Sequence, residues 1–185
     1  MTQETSTVRL LILLGSLRSG SLNRQLAQTA IAHAPARVAP ILFDRLNEVP
    51  HYNEDIDVPP GDAAVQALRA EVDNCDALLV VTPEYNGGLP GVLKNAIDWL
   101  SRPYGSSALK GKPTAVIGSS LGRHGGAWAH ADARKSLAIA GARVLDGIEL
   151  SIPAKSLNGL RPDESPEVIE SLRAVWSQLV LSVVI

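Results

Sequence analysis

Three stretches of this 185-residue chain carry residues whose types and spacing could do chemistry. The first is Gly15-Ser16-Leu17-Arg18-Ser19-Gly20-Ser21-Leu22-Asn23, which follows the aliphatic run Val8–Leu14 and leads into a segment with helical spacing. A helix amino terminus offers free N–H groups and the positive end of a dipole, so it attracts anions. Here hydroxyls and one arginine stand beside it, and an arginine can fork onto a phosphate. Gly15 and Gly20 are spaced as in a Walker A loop, but Ser21 stands where the lysine must be, and Leu17 breaks a GxGxxG pattern. A single phosphate monoester therefore fits better than a nucleoside triphosphate or a dinucleotide pyrophosphate. The plainer alternative is a Ser/Gly turn with an ordinary helix cap.

The second stretch, Thr82-Pro-Glu-Tyr-Asn-Gly-Gly-Leu-Pro-Gly91, has Asn-Gly and Pro-Gly steps that set turns presenting main-chain N–H and C=O groups to a flat heterocycle. The third, Gly118-Ser-Ser-Leu-Gly-Arg-His-Gly-Gly126, is equally small and backbone-rich. Side by side, three such loops would cradle the phosphate, linker and ring of one mononucleotide.

Rival chemistries fare worse. Gly118-Ser119-Ser120-Leu121-Gly122 reads as the GxSxG elbow of a hydrolase, yet no histidine follows His130 and no acid lies between Ser120 and His124 or His130. His33, His51, His124 and His130 lack metal-ligand spacing, and the acidic group Glu48, Glu54, Asp55 and Asp57 lacks the EF-hand pattern and reads as solvated. No metal is expected. Cys75, the single cysteine, closes an apolar helical stripe and reads as a packed small hydrophobe. Trp99 and Trp176 sit on or beside apolar stripes and read as packing residues. Tyr85 differs, since it sits in a turn at a strand end, where packing gives a large aromatic less reason to be.

The elements that must position these loops alternate. Aliphatic runs at Val8–Leu14, Val38–Phe43, Ala77–Thr82, Thr114–Gly118 and Arg143–Leu150 read as strands. Between and after them, helical spacing appears in Leu22-Leu26-Ala30-Ala34, Val65-Leu68-Val72, Val92–Leu100, Trp128–Ala140 and Val168–Leu179. The βα alternation predicts an α/β three-layer sandwich with a five-stranded parallel sheet in the flavodoxin-like order 2-1-3-4-5. One domain is expected to span residues 1–185, with Met1–Thr7 flexible. The polar connection Asp44–Asp62 is long enough to be functional or mobile. Ligands in such sheets sit at the strands' carboxyl ends, where the three loops fall.

Composition narrows the partners. Seventeen Lys and Arg against nineteen Asp and Glu give a net charge of −2, which offers no basic excess for nucleic acid. One cysteine is too few for a disulfide or a CxxC redox pair. No run approaches the ~20 apolar residues of a membrane span, so a cytoplasmic protein is expected.

At this point the residues resemble the NAD(P)H-dependent FMN reductases of flavodoxin-like fold, a family that includes bacterial quinone, chromate and azo-dye reductases. The resemblance rests on Gly15-Ser-Leu-Arg-x-Gly-Ser-x-Asn23, on Thr82-Pro-Glu-Tyr-Asn86 and on Pro90-Gly-Val-Leu-Lys-Asn-Ala-Ile-Asp-Trp-Leu100. Pro50-His-Tyr-Asn-Glu-Asp55 adds to it, and together these motifs span the first strand through the fourth helix. The resemblance implies that Ser16, Arg18, Ser21 and Asn23, with the backbone at Leu22, hold the FMN phosphate. It implies that Pro83, Glu84, Tyr85, Asn86 and Gly87 line the ring and ribityl region, and that Ser119 and Gly122 close the ring's other side. No catalytic side chain is implied, because the chemistry lies at FMN N5, which takes a hydride from NADPH or NADH. The electrons then pass to a quinone, a flavin or a similar small-molecule acceptor, and the family assembles as homodimers or homotetramers. One departure stands out: Trp128 occupies the place where the family commonly has arginine, two residues after the Gly-Gly pair. The alternative is a flavodoxin-type carrier or regulatory flavin-binding protein without NAD(P)H oxidase activity. Carriers are usually strongly acidic, so a charge of −2 tilts the reading toward a reductase.

Overall fold

The computed structural model describes residues 7–184, so the flexible lead expected at Met1–Thr7 lies, Thr7 apart, outside the described residues. The elements run β1 (Val8–Leu14), α1 (Leu22–Ala32), β2 (Val38–Phe43), α2 (Ala63–Asp73), β3 (Ala77–Val81) and α3 (Gly91–Leu100). They continue as β4 (Pro113–Ser120), α4 (Ala127–Ile139), β5 (Arg143–Val144), β6 (Leu150–Pro153) and α5 (Pro166–Val184). All strand pairs are parallel, in the order β2-β1-β3-β4-β5, with β6 also on β4.

The central strands are buried on both faces, and their side chains divide by parity. Leu10, Ile12, Leu14, Leu79 and Val81 point to the layer of α1 and α5, where they meet Leu26, Leu172 and Trp176. Leu11, Leu13, Leu78 and Val80 point to the layer of α2, α3 and α4, where they meet Leu68, Leu93, Trp99 and Leu137. That two-residue alternation inside an unbroken aliphatic run is what a covered parallel sheet requires. Trp99 and Trp176 are core residues, and each indole N–H has an acceptor, Pro50 O at 2.8 Å and Ala30 O at 2.9 Å. Cys75 is buried, and burial pushes its thiol pKa up.

Two expectations need correction. The single fifth strand Arg143–Leu150 is two pieces on one edge of β4. β5 pairs with Pro113 and Thr114, and β6 pairs with Ile117 to Ser120. Between them the chain turns out of the sheet, with Ile148 N–H donating to Leu145 O at 3.1 Å across Asp146-Gly147, a turn-forming step. The acidic group in 44–62 is not uniformly solvated either. Glu48, Glu54 and Asp55 are exposed, but the Asp57 carboxylate lies between Arg69 at 2.9 Å and Arg102 at 3.3 Å. Burial raises the Asp57 pKa, and the two guanidiniums outweigh it and hold the group below the usual carboxylate range. The Asn95 amide donates to Pro50 O at 2.9 Å and accepts from Tyr52 N–H at 2.7 Å. This long connection is therefore pinned to α2 and α3.

The carboxyl end of β4 is the tightest point of the sheet. A Cβ on Gly118 would stand 1.9 Å from Thr82 O, 2.7 Å from His130 Nε2 and 2.9 Å from Asn23 Oδ1. Gly118→Ala is expected to cost about 3 kcal/mol in urea denaturation, the upper end for overpacking. Gly91→Ala, at the open start of α3, is expected to be neutral or stabilising by up to about 1 kcal/mol.

Candidate functional site

The three loops meet in a cleft of about 250 Å³ at the carboxyl ends of β1, β3 and β4. Ser16, Arg18, Ser21, Leu22 and Asn23 line one end, and Pro83, Glu84, Tyr85 and Ser119 line the other. Of the remaining expected residues, Asn86, Gly87 and Gly122 lie in the same loops but do not line the cleft. Ser120, Leu121 and Ala154 do line it. Ser120 and Leu121 belong to the third loop, whereas nothing in the sequence marks Ala154, which β6 brings in by pairing with β4. A larger cleft, about 710 Å³, opens between α3 and α4 beside Lys94, Tyr104 and Ile139, away from the three loops. In a parallel sheet the strand ends decide where ligands bind, and volume does not.

At the first loop, Ser21 is the N-cap of α1, and its Oγ accepts from Arg24 N–H at 3.0 Å. The plainer capping reading is thus correct for that lone pair. The next amides are different, since the N–H groups of Leu22 and Asn23 have no partner among the described residues. Arg18 is exposed and pairs with no carboxylate among them, whereas Arg24 is tied to Asp44 at 2.5 Å. The Ser16 and Ser21 hydroxyls, two helix-start amides and an uncommitted guanidinium form a donor set that suits a phosphate dianion.

The Asn23 side chain is engaged within the protein. Its Oδ1 accepts from Ser119 N–H and its Nδ2 donates to Ser119 O, both at 2.8 Å, in a buried position. The side chain joins the first loop to the third and points its amide at protein. Ser119 is likewise engaged, its Oγ–H donating to Ile152 O at 2.7 Å.

The second loop contains a two-residue hairpin. Tyr85 and Gly88 exchange N–H···O bonds of 3.0 and 3.1 Å, while Asn86 and Gly87 take φ of 52° and 75°. That pair of positive values marks a type I′ turn, which explains the Asn-Gly step. The turn leaves the Tyr85 ring half exposed. Glu84, at the edge of the cleft, reaches to the next helix: its Oε2 accepts from the backbone N–H of Trp128 at 3.1 Å and of Ala129 at 3.2 Å. α4 opens on Gly126 with no side-chain cap of its own, so a carboxylate from the second loop caps it.

Behind the third loop lies His130, fully buried. Its Nε2 faces Thr82 O at 3.2 Å, which makes Nε2 the protonated nitrogen and leaves Nδ1 to accept from Ser151 Oγ–H at 2.7 Å. Burial pulls its pKa down to about 4, against the partial support of the Thr82 carbonyl. Among the described residues no carboxylate bonds the ring, and Ser120 Oγ accepts from Gly122 N–H. The hydrolase reading of GxSxG has no triad.

The NADPH-dependent FMN reductase family matches residues 8–156. A quinone reductase of Pseudomonas putida is 45% identical over 126 residues, which is 68% of this chain and 67% of the relative. A 2-hydroxy-1,4-benzoquinone reductase of a Burkholderia species is 42% identical over 69% of this chain and 68% of its own length. Among solved structures, the flavoenzyme NAD(P)H:(acceptor) oxidoreductase FerB of Paracoccus denitrificans superposes with a TM-score of 0.84. It is 33% identical, and the match covers 95% of this chain and 97% of that one.

The neutral His130 links stability to pH. Its folded pKa lies below the ordinary 6.5, so the unfolded chain takes up a proton first as the solution is acidified. Stability is expected to fall from pH 6.5 toward pH 4, by at most about 1.4 kcal/mol per pH unit from this group. His130→Gln should flatten that part of the curve in denaturation series run at several pH values.

Proposed function

Because the chain belongs to the NADPH-dependent FMN reductase family, we propose that the cleft at the ends of β1, β3 and β4 is its FMN site and that quinones are its acceptors. The protein is an FMN-dependent NAD(P)H oxidoreductase. The observation that carries the placement is the convergence of the anion-binding donors of the first loop with the second and third loops on one cleft.

Bound FMN supplies two-electron chemistry, taking a hydride from NAD(P)H and returning it, with a proton from solvent, to the acceptor. The chain's own residues bind and orient. Arg18, the Ser16 and Ser21 hydroxyls and the N–H groups of Leu22 and Asn23 take the phosphate. Asn23 contributes to the phosphate end through its backbone N–H, while its side-chain amide keeps Ser119 at a fixed distance from α1. Pro83 to Tyr85 and the Ser119–Leu121 backbone flank the ring, while Asn86, Gly87 and Gly122 shape the turns around it. The Glu84 carboxylate caps α4 through Oε2 and so ties the second loop to that helix. Quinones as acceptors are supported by the two relatives named for quinone reduction.

The same reading includes one FMN-binding domain, a homodimer or homotetramer, and a cytoplasmic location. Exposed Tyr104 and Ile139 beside the larger cleft support self-association, and a lone buried thiol suits a reducing compartment. No helix among the described residues is long and apolar enough to cross a membrane.

The purified protein is expected to show the visible spectrum of bound flavin and to oxidise NADH or NADPH beyond a free-FMN control when a quinone is supplied. Bound flavin without such oxidation would favour an electron carrier. Arg18→Ala is expected to weaken FMN binding by ~1.5–3 kcal/mol, the range for hydrogen bonds to charged groups. Fluorescence titration of the apoprotein measures this, and unchanged affinity would remove Arg18 from the phosphate end.

A further inference from the structure

Of the three tryptophans, Trp99 and Trp176 are 1% and 0% exposed, but Trp128 is 60% exposed. Core packing accounts for the first two and leaves Trp128 without a structural task. Its place is nonetheless fixed. The Glu84 carboxylate accepts from its backbone N–H, and a Cβ on Gly87 would stand 3.6 Å from its Cε3, so the indole lies against the hairpin turn. The His124 ring flanks it, with centroids 5.6 Å apart and planes inclined by 37°. Tyr85 at 50% and Leu121 at 85% exposure line the cleft itself, and Tyr85 belongs to the hairpin on which the indole rests.

We propose that Trp128 is the stacking platform for planar aromatic acceptors of the quinone class and sets their preference over non-aromatic acceptors. The inference rests on the FMN reading of the adjoining cleft. An electron-rich indole face suits an electron-poor quinone ring, and offset stacking rewards a flat partner where a spherical one gains nothing. The indole packs on the turn at ordinary contact distance, and the Glu84 cap fixes the backbone from which it projects.

The test compares 1,4-naphthoquinone with ferricyanide as acceptors for the FMN-loaded protein. In W128A the KM for naphthoquinone should rise about tenfold relative to that for ferricyanide, in line with the value of an aromatic pair. W128F should restore the ratio to within about threefold. A second readout needs no turnover. Because Trp128 is the exposed tryptophan, naphthoquinone without NAD(P)H should saturably quench the iodide-accessible emission, and W128F should lose that saturable part. Parallel changes in the two KM values, or quenching that never saturates, would overturn the proposal. So would a fall in particle mass for W128A, which would mean that a second copy of the chain covers the ring. Saturable quenching with no NAD(P)H oxidation by any acceptor would support the platform and overturn the functional reading instead.

Discussion

The cleft depends on a pair of hydrogen bonds, 2.8 Å each, between the Asn23 amide and the peptide unit of Ser119. They cross from the first turn of α1 to the carboxyl end of β4, over the end of β3. Because both are buried, losing them would strand a donor and an acceptor away from water, which is costlier than the bonds are worth when made. Gly118 leaves room for this crossing, and Thr82 O and His130 fill the rest of the space. The loop that offers anion-binding amides and the loop that flanks the ring are thereby held as one rigid unit.

A second layer of ties fixes the remaining wall. Glu84 and Asp132 run in opposite directions between the second loop and α4, one accepting from Trp128 and Ala129, the other from Leu89 N–H at 3.4 Å. The polar side chains that the motifs contribute are thus largely used to brace one another. What they leave facing the cleft is main chain, hydroxyls, one arginine and the Tyr85 ring. Such a site orients a cofactor without competing with its chemistry, and it needs no titrating side chain at the reacting atoms.

Much of this was legible in the residue order. β1 and β2 begin and end where their aliphatic runs do, and β3 misses by one residue; in β1 and β3, buried on both faces, almost no polar position blurs the limits. The loops were legible because glycines and hydroxyls cluster at strand ends. Long-range partners were not. Asn23 and Ser119 are 96 residues apart and Glu84 and Trp128 are 44 apart, and nothing local tells an asparagine that binds an anion from one that binds a peptide. The broken fifth strand escaped for a related reason: Arg143–Leu150 has β-forming residues, and only the competing Asp146-Gly147 turn divides them. Ala154 carries no chemistry, so only its neighbours in space could mark it.

The indole N–H of Trp176 reaches the carbonyl of Ala30, 146 residues earlier, and sets the face on which α1 rests. During synthesis all three loops leave the ribosome well before the segment that seats α1. A nascent chain ending after α4 carries every anion-binding group yet exposes Leu26, Ala27 and Ala30 to water where α5 will lie. The seat of α1, and with it the position of the first loop, is therefore completed only when the last helix packs.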